Sequence, residues 1–169
     1  MKSFIKFFVF YFLFIVCSAS FAQQCENDNE ALRAMQSVNV TFTRSDGSSF
    51  SLEAKYANND RTRAAGFQSV CAERIKSTLI LFEFERAIKP SFHMNNVVAP
   101  LDIAFIDQDG SVESTQVMNT YSLLLRSKPL YSPSRPVIAA LEAHKNFYQK
   151  HNIDSSSRIS WELIESKSH

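Results

Sequence analysis

The segment from Pro100 to Gly110 constrains this chain more than any other. Leu101 to Ile106 is apolar except for Asp102, a proline introduces it, and Asp109-Gly110 follows shortly after it. A short apolar run between turn signals reads as a buried strand. The Asp-Gly pair then turns the chain into a second strand over residues 112–118. A carboxylate inside such a strand needs a partner, because an unpaired buried charge costs several kcal/mol. Arg63, at the end of a predicted helix, is the partner this reading supplies. A buried Arg63–Asp102 pair satisfies both groups. In the alternative, the Arg63 guanidinium clamps a carboxylate or phosphate ligand through two parallel hydrogen bonds.

The rest of the pattern is mostly strands. Residues 37–44 alternate, with Val38, Val40 and Phe42 on one face, and Asp46-Gly47 turns them into a return strand over residues 50–56. Residues 58–65 switch to a helix, with Asn58, Asn59 and Asp60 as cap candidates and Gly66 as its stop. Residues 67–76 read as irregular, 78–84 as an apolar strand, and 91–95 as a short strand or structured loop. Residues 119–136, with Pro129, Pro133 and Pro136, form a long surface loop of the kind that carries function. Residues 137–143 are a further apolar stretch. Residues 142–151 have helical spacing, and 159–164 alternate as a closing strand. About seven strands and two short helices result.

Residues 1–22 read as a cleaved secretory signal peptide. Lys2 and Lys6 precede ten apolar residues, Phe7 to Val16, and Ser20 and Ala22 place cleavage after Ala22. Ten residues are half of the ~20 a membrane span needs, so no stable membrane insertion is expected once the signal is cleaved. The expected layout is an arm over residues 23–37, one domain over 38–164, and a polar tail over 165–169. Removing 22 of 169 residues leaves 147, and losing two lysines turns 18 cations against 17 acids into 16 against 17. A net charge near −1 gives no reason to expect a nucleic-acid partner. The length suffices for one self-standing core, and a monomer is expected. Cys25 and Cys71 survive cleavage, and an even number in an exported chain favours a disulfide. A free reactive thiol and a thiolate metal ligand are the alternatives.

Several of these motifs carry a resemblance. An Arg-x-x-Gly helix end (Arg63 to Gly66), a Leu-Phe-x-Phe strand (Leu81 to Phe84) and a Pro-Leu-Asp-Ile strand ending in Ile-Asp-x-Asp-Gly (Pro100 to Gly110) resemble the family called domain of unknown function 192. The likeness spans roughly residues 38 to 164. It implies a compact α+β domain with a mixed, largely antiparallel, barrel-like sheet, often exported, and it implies no established catalysis. Where the family usually has Phe-Trp-Met-Lys-Asn-Thr, this chain has Phe92, His93, Met94, Asn95, Asn96 and Val97. Together with an exported chain, the likeness favours the periplasm over full secretion.

The residues point to three kinds of function. The first is a non-enzymatic binding or accessory domain, whose site of Arg63, Ser91, His93, Asn95, Asn96 and Asp102 holds a small anionic ligand or an envelope protein. The second is a cell-envelope hydrolase or transferase with His93 as base, supported by Asp102 or Asp107. No nucleophile elbow accompanies them. The third is a copper-handling protein using His93, Met94 and Met118, since imidazole and thioether suit that ion. No metal or cofactor is assigned: no second histidine lies at ligand spacing, and three glycines in the whole chain leave no phosphate-cradling loop. Protein recovered from its native envelope fraction is expected to have an intact mass beginning at Gln23, two hydrogens below the reduced value. A mass that retains residues 1–22 removes the export reading.

Overall fold

A computed structural model describes residues 25–121 and 128–164. The signal peptide, its cleavage point, part of the 119–136 loop and the 165–169 tail lie outside the described residues.

The elements run α1 (Glu30–Ala34), β1 (Gln36–Thr43), β2 (Ser49–Ala57), α2 (Asp60–Ala65), α3 (Ala72–Lys76), β3 (Ile80–Ile88), β4 (Leu101–Ile106), β5 (Val112–Met118), β6 (Val137–His144), α4 (Phe147–His151) and β7 (Arg158–Leu163). The seven strands form one sheet in the order β5-β4-β6-β3-β2-β1-β7. All neighbours are antiparallel except β2 and β3, which share three parallel pairs, Lys55–Ile80 to Ala57–Phe82. A parallel pair needs a crossover, and here α2 and α3 supply it. The expected α+β, largely antiparallel class is therefore correct.

The barrel-like expectation is not met. The edge strands β5 and β7 touch at one end only, through a bridge between Ser111 and Arg158. There Ile159 N donates to Gly110 O at 2.8 Å and Val112 N to Ser157 O at 3.1 Å. Phe147, Tyr148 and Ile153, from α4 and the turn behind it, join the core cluster that also holds Val112 of β5 and Ile159 of β7. Helices number four among the described residues, not two, and each has five or six residues. Helix α3 lies in residues read as irregular. The helical spacing of residues 142–151 is helix only from Phe147, because Glu142 to His144 are still strand.

All six residues of β4 are buried. Leu101, Ile103 and Phe105 join one apolar cluster with Ile80, Phe82, Met94 and Phe67. Ala104 and Ile106 join the other, with Val38, Val40, Phe42 and Leu141. Strand alternation thus divides two cores across one sheet. Gly110 makes the β4–β5 turn at φ +86°, and a Cβ there would lie 3.0 Å from the Ile159 carbonyl oxygen. Both its conformation and its neighbour exclude a side chain.

The N-terminal arm is packed. Leu32 is fully buried, and the Asn29 side chain caps α1, its Oδ1 accepting from Leu32 N at 2.7 Å. Its Nδ2 donates to the Gln68 carbonyl at 2.9 Å. Glu26 forms a parallel bridge with Val70, and Cys25 is disulfide-bonded to Cys71. The sequence separation is 46 residues, so the cross-link restricts the unfolded chain by an amount worth about 4 kcal/mol in the loop-entropy account. Replacing both cysteines by serine is expected to lower unfolding free energy in urea by about that much. A loss near zero would mean that the arm is held by α1 packing alone.

Candidate functional site

Helix α2 begins at a reciprocal cap, in which Asn59 Oδ1 accepts from Thr62 N at 3.1 Å and Thr62 Oγ1 accepts from Asn59 N at 3.3 Å. It ends at Gly66, whose φ of +47° and ψ of −135° suit glycine almost alone. Arg63 sits in the last turn. Its Nη1 donates to the Glu83 carbonyl of β3 at 2.9 Å, and its Nη2 pairs with Asp60 at 2.8 Å. The predicted Arg63–Asp102 pair does not form. Asp102 is the even-numbered partner of Leu101 and Ile103 in β4, so alternation turns it to the opposite face. There it lines a recess with Gln116, Asn146 and Tyr148. Burial raises its carboxyl above the ordinary carboxylate range, and the nearby N–H groups of Asn146, Tyr148 and Phe147 offset part of that.

A cleft of about 190 Å³ lies where α2 meets β3 and the segment after it. Arg63, Ser91 and His93 all line it, as the sequence grouped them. Phe67, Phe82, Phe84, Phe92 and Val97 supply apolar walls. Phe92 is held by paired backbone bonds to Tyr131, at 2.8 and 2.9 Å, and its ring meets Phe82 edge-on at 5.1 Å. His93 Nδ1 accepts from Asn95 N at 3.3 Å, which puts the proton of a neutral ring on Nε2. Asn95 and Asn96 lie outside this lining. Asn95 Oδ1 accepts from Lys128 Nζ at 2.9 Å. Asn96 adopts a left-handed φ of 55°, and its carbonyl accepts from Ser69 N at 2.8 Å. Both serve the turn.

The residue that sequence reasoning missed is Glu142. It lies mid-sheet in β6, paired with Ile80 of β3 and Ile103 of β4, and lines the cleft. It is 5% exposed and its Oε2 has no hydrogen-bond partner. Gly66 covers it closely: a Cβ on Gly66 would stand 3.6 Å from Oε2. Burial pushes its carboxyl up to about 8. At neutral pH the group is therefore mostly a neutral acid, able to donate as well as accept.

The other groupings separate. Asp107 pairs with Arg135, and Asp102 faces away, so His93 has neither as a support. Met94 and Met118 are 1% and 0% exposed within the core, and Cys71 is disulfide-bonded. A folded-state carboxyl held above its unfolded value of 4.5 means the folded chain binds the extra proton. Stability is then highest below that value and falls as pH rises toward 8, by at most about 1.4 kcal/mol per pH unit. Glu142→Gln is expected to flatten that fall in thermal melts between pH 5 and 8. Parallel profiles for variant and parent would show that Glu142 is already ionised in the folded protein.

The described geometry has close counterparts among solved structures. One is a protein of unknown function from Novosphingobium aromaticivorans DSM 12444, with a TM-score of 0.64 at 20% identity, covering 83% of this chain and 96% of that one. Another is from Sinorhizobium meliloti 1021, described as a "putative transcription regulator", with a TM-score of 0.64 at 20% identity, covering 75% of this chain and 95% of that one. At this identity the likeness speaks for the fold alone. No curated protein matches the chain in sequence. The model of the family described as Uncharacterized ACR, domain of unknown function 192, matches residues 41–161. The chain belongs to the domain of unknown function 192 family, whose molecular function is uncharacterised.

Proposed function

We propose that this is an exported, periplasmic, non-enzymatic domain that binds a small anionic ligand in the cleft between α2 and β3. One observation carries the reading: Arg63 of α2 meets Ser91 and His93, from a segment remote in sequence, at one cleft with phenylalanine walls. Arg63 has five N–H groups and spends two of its nitrogens on Glu83 O and Asp60, so donor capacity is left over. A small concave site with a few convergent polar groups is the usual form of a ligand pocket. The Cys25–Cys71 disulfide supports an oxidising compartment such as the periplasm. The separation of His93 from Asp102 and Asp107 speaks against a hydrolase or transferase, and the core placement of Met94 and Met118 against copper handling.

Benzoate, butyrate and inorganic phosphate serve as probes in calorimetric titration at pH 7. At least one is expected to bind saturably, and Arg63→Met is expected to weaken that binding by about tenfold, or 1.4 kcal/mol. The same variant loses a bond to the Glu83 carbonyl, so it should also melt slightly earlier, consistent with about 1 kcal/mol. Silence toward all three anions would overturn the small-ligand reading in favour of an envelope protein partner.

A further inference from the structure

The floor of the cleft asks for more than a positive mouth. Glu142 is buried mid-sheet and lines the cleft, and its Oε2, covered by Gly66, has no hydrogen-bond partner. Around it stand Phe67, Phe82 and Phe92, while Arg63 lines the same cavity. A buried carboxyl without a protein partner, lining a cleft with phenylalanine walls, is a recognition group for a ligand that supplies the complement. Two complements exist. A cationic ligand would force Glu142 to ionise and create a buried ion pair, with both charges desolvated and Arg63 repelling the newcomer. An acceptor oxygen needs only the proton Glu142 already holds, and a negative charge on that ligand is welcomed by Arg63.

We infer that the ligand is a small apolar carboxylic acid, bound as its anion, with its hydrocarbon part on Phe67, Phe82 and Phe92 and a carboxylate oxygen hydrogen-bonded to the Glu142 carboxyl. This rests on the anion-binding reading and names the ligand class. Size agrees: a cavity of ~150 Å³ holds benzene, and the cleft measures about 190 Å³, enough for one ring or branched chain with a carboxylate. Glu142 then acts as a gate, since ionised Glu142 would face the ligand's carboxylate with like charge.

The groups that face Glu142 are few. On the cleft side they are Arg63 from α2 and His93 from the segment after β3. Its strand neighbours, Ile80 and Ile103, are apolar. Across the sheet, Tyr148 of α4 feels the Glu142 charge; burial, first of all, and then Asp102 and Glu142 hold its phenol well above the ordinary tyrosine range.

Calorimetric titration of the disulfide-bonded mature chain with benzoate, at pH 7, 8 and 9, tests the idea. Affinity is expected to fall above pH 8, approaching tenfold per pH unit, with uptake of up to one proton per benzoate at pH 9, read from two buffers of different ionisation enthalpy. In Glu142→Gln the slope and the proton uptake should both vanish, whereas His93→Gln should keep them. The wild-type proton count needs no variant and stands even where a substitution fails to fold. Benzoate binding with no slope and no uptake would overturn the role of Glu142. Binding of phosphate without benzoate would overturn the apolar acid while leaving anion binding intact. Preference for butylammonium, tightening as pH rises, would overturn both readings in favour of a cation site.

Discussion

Burial of β4 and β6 on both faces is the constraint on which this structure depends. A strand with no solvent-facing side forces the sheet to be covered twice. One cover is the sheet's own curl, plugged by Phe147, Tyr148 and Ile153. The other is assembled from α1, α2, α3 and the irregular chain around Phe92 and Tyr131. Helices of five or six residues cannot tile a face without gaps. The gap left between α2 and the Phe92 segment is the cleft, and the alternation of β6 places Glu142 beneath it. The site is therefore a by-product of how the second cover is pieced together, which is why its walls are core phenylalanines.

Much of this was legible because local chemistry decided it. Asn59 and Gly66 framed a helix that forms where the spacing placed it, and the two Asp-Gly turns sit between paired strands. The disulfide followed from an even cysteine count in a chain expected to be exported. Arg63, Ser91 and His93 were grouped from neighbourhood in a motif and do share one cavity. What stayed hidden depends on faces. Asp102 was flagged as a carboxylate inside an apolar strand, but its parity within the strand, which sends it away from Arg63, becomes visible only once Leu101 and Ile103 are known to face α2. Glu142 carried the same signal, one carboxylate inside Val-Ile-Ala-Ala-Leu-Glu-Ala. Helical spacing further along, through Phe147 and Tyr148, drew it into the wrong element. That the sheet stays open is equally non-local, since among the described residues β5 and β7 meet only at the Ser111–Arg158 bridge.

Position 95 ties two stretches of the chain together. Lys128, from the far side of the long loop, donates to the Asn95 side chain and stacks over Tyr121 at 5.5 Å from the ring centre. The Phe92 segment is joined besides to Tyr131 by a pair of backbone hydrogen bonds.

The place of β6 in the sheet has a consequence for the order in which the molecule can assemble. Strands β1, β2 and β3 on one side, and β4 and β5 on the other, have no ladder to each other except through β6. Synthesis delivers the chain from its N-terminus, so two half-sheets emerge with unpaired inner edges before residue 137 joins them. Such edges invite pairing with other chains. The Cys25–Cys71 cross-link and the Glu26–Val70 bridge both lie in the first half. The late strand that completes the fold is also the one that delivers Glu142. No partly made chain can possess the floor of this cleft before β6 is in place.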